Sequence, residues 1–214
     1  MTEHITSNEE RLFFQTFSAF HKEGARPWPI FAKIKNQELL LEREGMSATE
    51  CRVLSKYLGW AKDFEESKIK VLEIKDCGFS DQQIADVLQG ILAQDHIVSI
   101  NIFNEKIGDL TVKALRQLLQ RPRPKSLLEL QLVGCSCISY TAMSTLLSSM
   151  RSQSFLSKLT LSNFKIRQRD HDETVDSELC RYTQAITDAP AAPRTAENLT
   201  HLDLSYLNLA PTTL

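Results

Sequence analysis

Ile69–Phe79, IKVLEIKDCGF, is the stretch from which the rest of the chain can be read. Its first, fourth, sixth and eleventh positions are apolar, and its ninth is Cys77. Alternation at positions four and six is the pattern of a strand with one buried face. The same spacing returns at Ile97, Ile100, Ile102 and Ile107, and again at Leu127, Leu130 and Leu132 with Cys135 at nine. It recurs at Leu156, Leu159, Leu161 and Ile166, then at Leu199, Leu202, Leu204 and Leu209. A weaker copy precedes them all: Asn36, Leu39, Leu41 and Met46. The copies start at 36, 69, 97, 127, 156 and 199, in steps of 33, 28, 30, 29 and 43 residues.

Each of the early copies leads into a helical pattern. Ser47 with Glu50, and Ser80 with Gln83, have the spacing of capping boxes. Val53, Leu54, Tyr57 and Leu58 form an apolar stripe at helical spacing, as do Ile84, Val87, Leu88, Ile91 and Leu92. A shorter stripe holds Val112, Leu115, Leu118 and Leu119. Ser139 then leads into Ala142, Met143, Leu146, Leu147 and Met150. The unit is therefore strand, turn, helix and loop, in about 28–30 residues. One such unit cannot bury its own apolar face, but stacked neighbours can. Helices are ~10 Å across and strands ~4.8 Å apart, so such a stack bends with its strands on the inner face.

These residues resemble the leucine-rich repeat family, in its ribonuclease-inhibitor-like subclass, over roughly residues 36–214. The resemblance implies an α/β fold: a right-handed α/β solenoid, or horseshoe, with parallel strands concave and helices convex. It is specific for architecture and nearly mute about function. Position nine departs from the family pattern at Glu105, Phe164 and Leu207, and Cys135-Ser-Cys-Ile138 holds one extra residue, which predicts a bulge. At position nine a small residue with a weak donor fits under the turn, so Cys77 and Cys135 read as structural.

Residues 1–35 lie outside the repeat and read as an N-terminal helical cap, with Ser7 and Glu10 at its start. Phe13, Phe14, Phe17 and Phe20 come next at helical spacing, and Arg26-Pro-Trp-Pro29 forms a rigid connection into the repeat domain, 36–214. An insertion, 167–197, separates the last two copies and holds a helical pattern over Asp172–Thr187. Only APTTL remains after Leu209, so the last copy lacks its helix and the chain is expected to be truncated there.

Composition adds exclusions. A net charge of −2 gives no global field for nucleic acid, and none is expected as a partner. The cluster Arg116, Arg121, Arg123 and Lys125 reads as a solvated turn. No apolar run approaches the ~20 residues of a membrane span, so no membrane insertion is expected. The start MTEHITSNEE lacks a secretory pattern, which points to the cytoplasm; cytoskeletal or ciliary association does not follow from the sequence. Five scattered cysteines do not make a disulfide framework. No phosphate-binding glycine loop, CxxC pair or HExxH occurs, and the five histidines are dispersed, so neither cofactor nor metal is expected and the chain reads as non-enzymatic.

The remaining candidate surface is the outward strand face, at positions three, five and seven of each copy. Phe103 and Val133 share position seven on adjacent strands and are expected to be neighbours, an apolar anchor for a partner. Glu73, Asn101, Glu129 and Gln131 surround them, and Tyr206, at position eight of the last copy, is a further candidate. Acids outnumber bases on this face, which suits a basic or mixed partner. The expected function is a protein-binding scaffold or adaptor acting through this face, the insertion or the ends, either alone or within a large complex. The resemblance also implies two alternatives. One is a regulator similar to the Ran GTPase-activating proteins, for which Arg43 is the outward candidate. The other is a sensor or substrate-recognition module of a larger receptor or ubiquitin ligase.

Overall fold

A computed structural model describes residues 34–62, 68–121, 127–136, 139–153, 155–163 and 199–205. It is an α/β fold. The strands are β1 (Ile34–Lys35), β2 (Glu38–Glu42), β3 (Val71–Lys75), β4 (Ser99–Phe103), β5 (Glu129–Val133), β6 (Lys158–Ser162) and β7 (His201–Asp203). They form one open sheet in chain order. β1 pairs antiparallel with β2, and β2 to β7 run parallel. Helices α1 (Ala48–Ala61), α2 (Asp81–Leu92), α3 (Asp109–Leu119) and α4 (Tyr140–Gln153) come after β2, β3, β4 and β5 in turn. Each packs on the next, so they line up in the same order as the strands.

The register is the one the spacing predicts. Leu39, Leu72, Ile100, Leu130, Leu159 and Leu202 lie side by side at position four. Leu41, Ile74, Ile102, Leu132 and Leu161 do the same at position six. From Leu39 to Leu161 these ten side chains are fully buried beneath the helices. Burying one such side chain contributes roughly 1.5–3 kcal/mol. A domain's net stability is only about 5–15 kcal/mol, so each rung is a large share of it.

Helix starts obey the capping chemistry. Ser47 and Ser80 each accept a hydrogen bond at the side chain from the N–H of the third helical residue and donate their own backbone N–H to that residue's side chain, completing both capping boxes. Ser139 Oγ accepts from Ala142 N at 3.1 Å at the start of α4. Gly90 lies inside α2 where α1 comes closest: a Cβ there would stand 2.6 Å from the Ser55 carbonyl oxygen.

Two features differ from the sequence expectation. The sheet begins two residues before the periodicity does, because Ile34–Lys35 folds back on β2. Asn36 and Gln37 both have positive φ (54° and 66°), as a two-residue hairpin turn requires. The rest of the expected cap, the insertion 167–197, the bulge residues Cys137 and Ile138, and everything after Ser205 lie outside the described residues. Arg121 is not a solvated turn residue. Its guanidinium reaches back to α2, donating to the carbonyls of Gln94 at 2.7 Å and of Leu92. Carbonyls at a helix C-terminus have no intrahelical donor, so a cation held there satisfies them.

Candidate functional site

Two surfaces flank the buried rungs: the turns leaving the strands, and the sheet face opposite the helices. At the turns, position eight is left-handed in all five described copies. The residues are Arg43 (φ 53°), Asp76 (53°), Asn104 (57°), Gly134 (66°) and Asn163 (53°). Each donates its backbone N–H to the position-seven carbonyl of the next strand: Lys75, Phe103, Val133, Ser162 and Ser205 respectively. The left-handed residue turns the chain off the strand while keeping one more rung of the ladder.

Position nine then fills the inside of the turn. Cys77 Sγ donates to the Leu41 carbonyl at 3.2 Å and the Lys75 carbonyl at 3.4 Å. Cys135 Sγ repeats this further along the stack, with Ile102 at 3.5 Å and Val133 at 3.6 Å. The thiols serve carbonyls, as expected of structural cysteines. Burial pushes the Cys135 thiol up to about 12 and the Cys51 thiol up to about 12, so both are protonated near neutral pH. Burial also raises Cys77.

Glu105 holds position nine between them and works in the opposite sense. Its buried carboxylate accepts from the N–H groups of Cys77, of Gly78 at 3.2 Å and of Phe79 at 2.7 Å. Asp81 does the equivalent at the start of the next helix, accepting from Gly108 at 2.8 Å, Leu110 at 3.1 Å and Thr111 at 2.9 Å. Both carboxylates tie one copy to its neighbour, and periodicity gave no sign of either role. A clue for Glu105 was its place in a column otherwise held by cysteine on either side.

On the open face, β3, β4 and β5 bring six of the seven predicted residues together. Phe103 is paired in register with Val133, and both are half-buried. Glu73, Asn101 and Gln131 form one cross-strand row, and Glu129 is paired with Ser99. Tyr206 lies outside the described residues. Asn101 is a correction: expected as an open surface group, it is only 9% exposed, and Ser99 only 4%. Both side chains are short and sit between longer neighbours, Val71 and Glu129 for Ser99, Glu73 and Gln131 for Asn101. The centre of the face is therefore recessed. Asn101 Oδ1 accepts from Ser99 Oγ at 3.3 Å. At the β2 end the face is more exposed, with Leu40 at 40%. There Lys75 Nζ donates to Glu42 Oε1 at 2.8 Å, and this hydrogen bond lowers the Glu42 carboxyl and raises the Lys75 ammonium. Arg43 is exposed, but at the left-handed turn rather than on a strand.

Among the described residues no group of three or more His, Cys, Asp or Glu side chains is placed to hold a metal ion. No helix among them is long and apolar enough to cross a membrane. No protein-family model matches the chain, and no curated protein matches it significantly.

Proposed function

We propose that this chain is a leucine-rich repeat protein of the ribonuclease-inhibitor-like kind, a solenoid with its strands on the concave side. Its function is a non-enzymatic scaffold or adaptor that binds another protein through the open sheet face. One observation carries the reading. Phe103 and Val133, identical in repeat position, lie side by side on the face away from the helices, bordered by polar side chains. An aromatic group beside an aliphatic one within a polar rim is the usual composition of a binding anchor. The repeat architecture is supported by the 28–30-residue spacing and by a ladder that keeps one register across six parallel strands.

The test is affinity capture from cell extract with the full chain, repeated with Phe103→Ala/Val133→Ala. Loss of one specific partner, with an unchanged circular dichroism spectrum and melting curve, is the expected result. Retention of every partner by the double variant would remove the face from the reading.

A further inference from the structure

The recess at the middle of the open face has a defined chemistry. Its floor is Ser99 and Asn101 on β4. Glu73 on β3 stands on one side, and Glu129 and Gln131 on β5 stand on the other. Phe103 closes one end. Glu73 and Glu129 sit two strands apart and two residues out of register, a separation of roughly 12 Å between backbones. Side chains of that length, rising from either flank, can converge on a single cation above the floor.

Charge on this part of the face is uneven. Lys75 is turned toward β2 by its ion pair with Glu42. Lys158, beside Glu129 on β6, is the nearest other cation on the face by register. Glu73 and Glu129 make no hydrogen bond or ion pair with a described residue. The second, independent observation is the Asn101 amide. The residue is 9% exposed, and its side chain projects into the recess, since Ile100 and Ile102 on either side of it point under the helices. Its Oδ1 is taken by Ser99, and its NH₂ has no acceptor among the described residues. The donor faces the recess, where a carbonyl carried by a bound group can accept from it.

We infer that the recess receives an arginine side chain from an extended segment of the partner protein. Glu73 and Glu129 bracket the guanidinium, Phe103 lies against its face, and the Asn101 amide donates to a main-chain carbonyl of the same segment. The planar fork of arginine suits two carboxylates and an aromatic ring better than the point charge of lysine does. This inference rests on the reading of the open face as the binding surface.

The experiment is a ¹H–¹⁵N NMR titration of the full chain with three tripeptides: acetyl-Gly-Arg-Gly-amide, its lysine counterpart and its citrulline counterpart. The arginine peptide is expected to give saturable shifts at Phe103 and at the Asn101 backbone and side-chain amides. Glu73→Gln/Glu129→Gln is expected to weaken it about five-fold, as loss of two half-exposed ion pairs implies. Lys158→Gln is expected to strengthen it by removing the competing cation. Absence of shifts at Asn101, or an equal response to the lysine or citrulline peptide, overturns the inference. The two readings separate cleanly. A partner lost by Phe103→Ala/Val133→Ala but kept by Glu73→Gln/Glu129→Gln overturns the arginine recess and leaves the face intact. A partner kept by Phe103→Ala/Val133→Ala removes the face reading, while the titration still judges the recess.

Discussion

Glu105 Oε2 accepts a hydrogen bond from Phe79 N at 2.7 Å, across 26 positions of sequence and from one repeat to the one before. With Cys77 and Gly78 as further donors, one buried carboxylate satisfies three consecutive N–H groups of a turn that has no regular structure of its own. Replacing it should cost more than any surface carboxylate. Glu105→Ala is expected to destabilise the protein by about 2–4 kcal/mol in urea unfolding, because several buried donors lose their acceptor. A loss below about 0.5 kcal/mol would mean that water replaces the carboxylate at no cost.

The same residue sets a pH dependence. Burial raises the Glu105 carboxyl above the ordinary glutamate value, against the lowering effect of its backbone donors. The native state thus holds this proton more tightly than the unfolded state does. The group's contribution to stability therefore falls as pH rises from the ordinary glutamate value, about 4.3, through the raised one. Glu105→Gln removes this titration, so its stability penalty relative to wild type should be largest near pH 4 and shrink toward pH 7. A penalty that grows with pH would show that the backbone donors outweigh burial.

The left-handed turn position allows opposite predictions at two sites. Gly134 has φ 66°, and a Cβ there would stand 2.1 Å from Asn104 Oδ1. Asn104 cannot move away freely, because its Nδ2 donates to Asp76 Oδ1 at 2.8 Å. Gly134→Ala should cost about 1–2 kcal/mol from backbone strain alone. Arg43 occupies the equivalent position with φ 53°, and its strain is relieved by glycine. Arg43→Gly should stabilise by roughly 0.5–1 kcal/mol despite the entropy that glycine adds to the unfolded chain. Thermal melts of both variants check the pair of signs.

Gly90 should reverse an ordinary rule. Within a helix, glycine to alanine usually gains about 1 kcal/mol. Here the new methyl would meet Ser55 backbone atoms at 2.6 and 2.7 Å, and backbone yields less readily than a side chain. Gly90→Ala is expected to destabilise by about 1–3 kcal/mol through forced separation of α1 and α2. A gain in melting temperature would contradict that close approach.

Cys51 and Cys135 should resist alkylation. With thiols at about 12, only about one molecule in ten thousand carries the thiolate at either site at pH 8. Iodoacetamide at pH 8 should leave both unmodified in the native protein and label both in urea, as read by peptide mass spectrometry. Rapid native labelling of either would place it outside the core.

The rungs were legible in the linear order of residues because burial imposes a short period. A strand with one face covered must place apolar side chains at alternate positions, and a stacked unit must repeat that placement at nearly constant length. Leu39 through Leu161 obey that rule, as do the Ser47 and Ser80 caps, whose partners lie three residues away. The neighbouring of Phe103 and Val133 comes from it as well, since equal repeat positions become adjacent once the register is kept.

Folding alone decided the contacts that reach one repeat length away through polar groups. Glu105 looked like a departure from a cysteine column, yet it supplies the acceptor that the turn before it lacks. Arg121 looked like a solvated charge, yet it serves the end of α2. Asn101 occupies an outward position, yet its longer neighbours bury it. Apolar burial depends on which face a residue occupies, and spacing encodes that. Satisfaction of a donor or acceptor depends on which partner comes within about 3 Å, and only the packed chain fixes that distance.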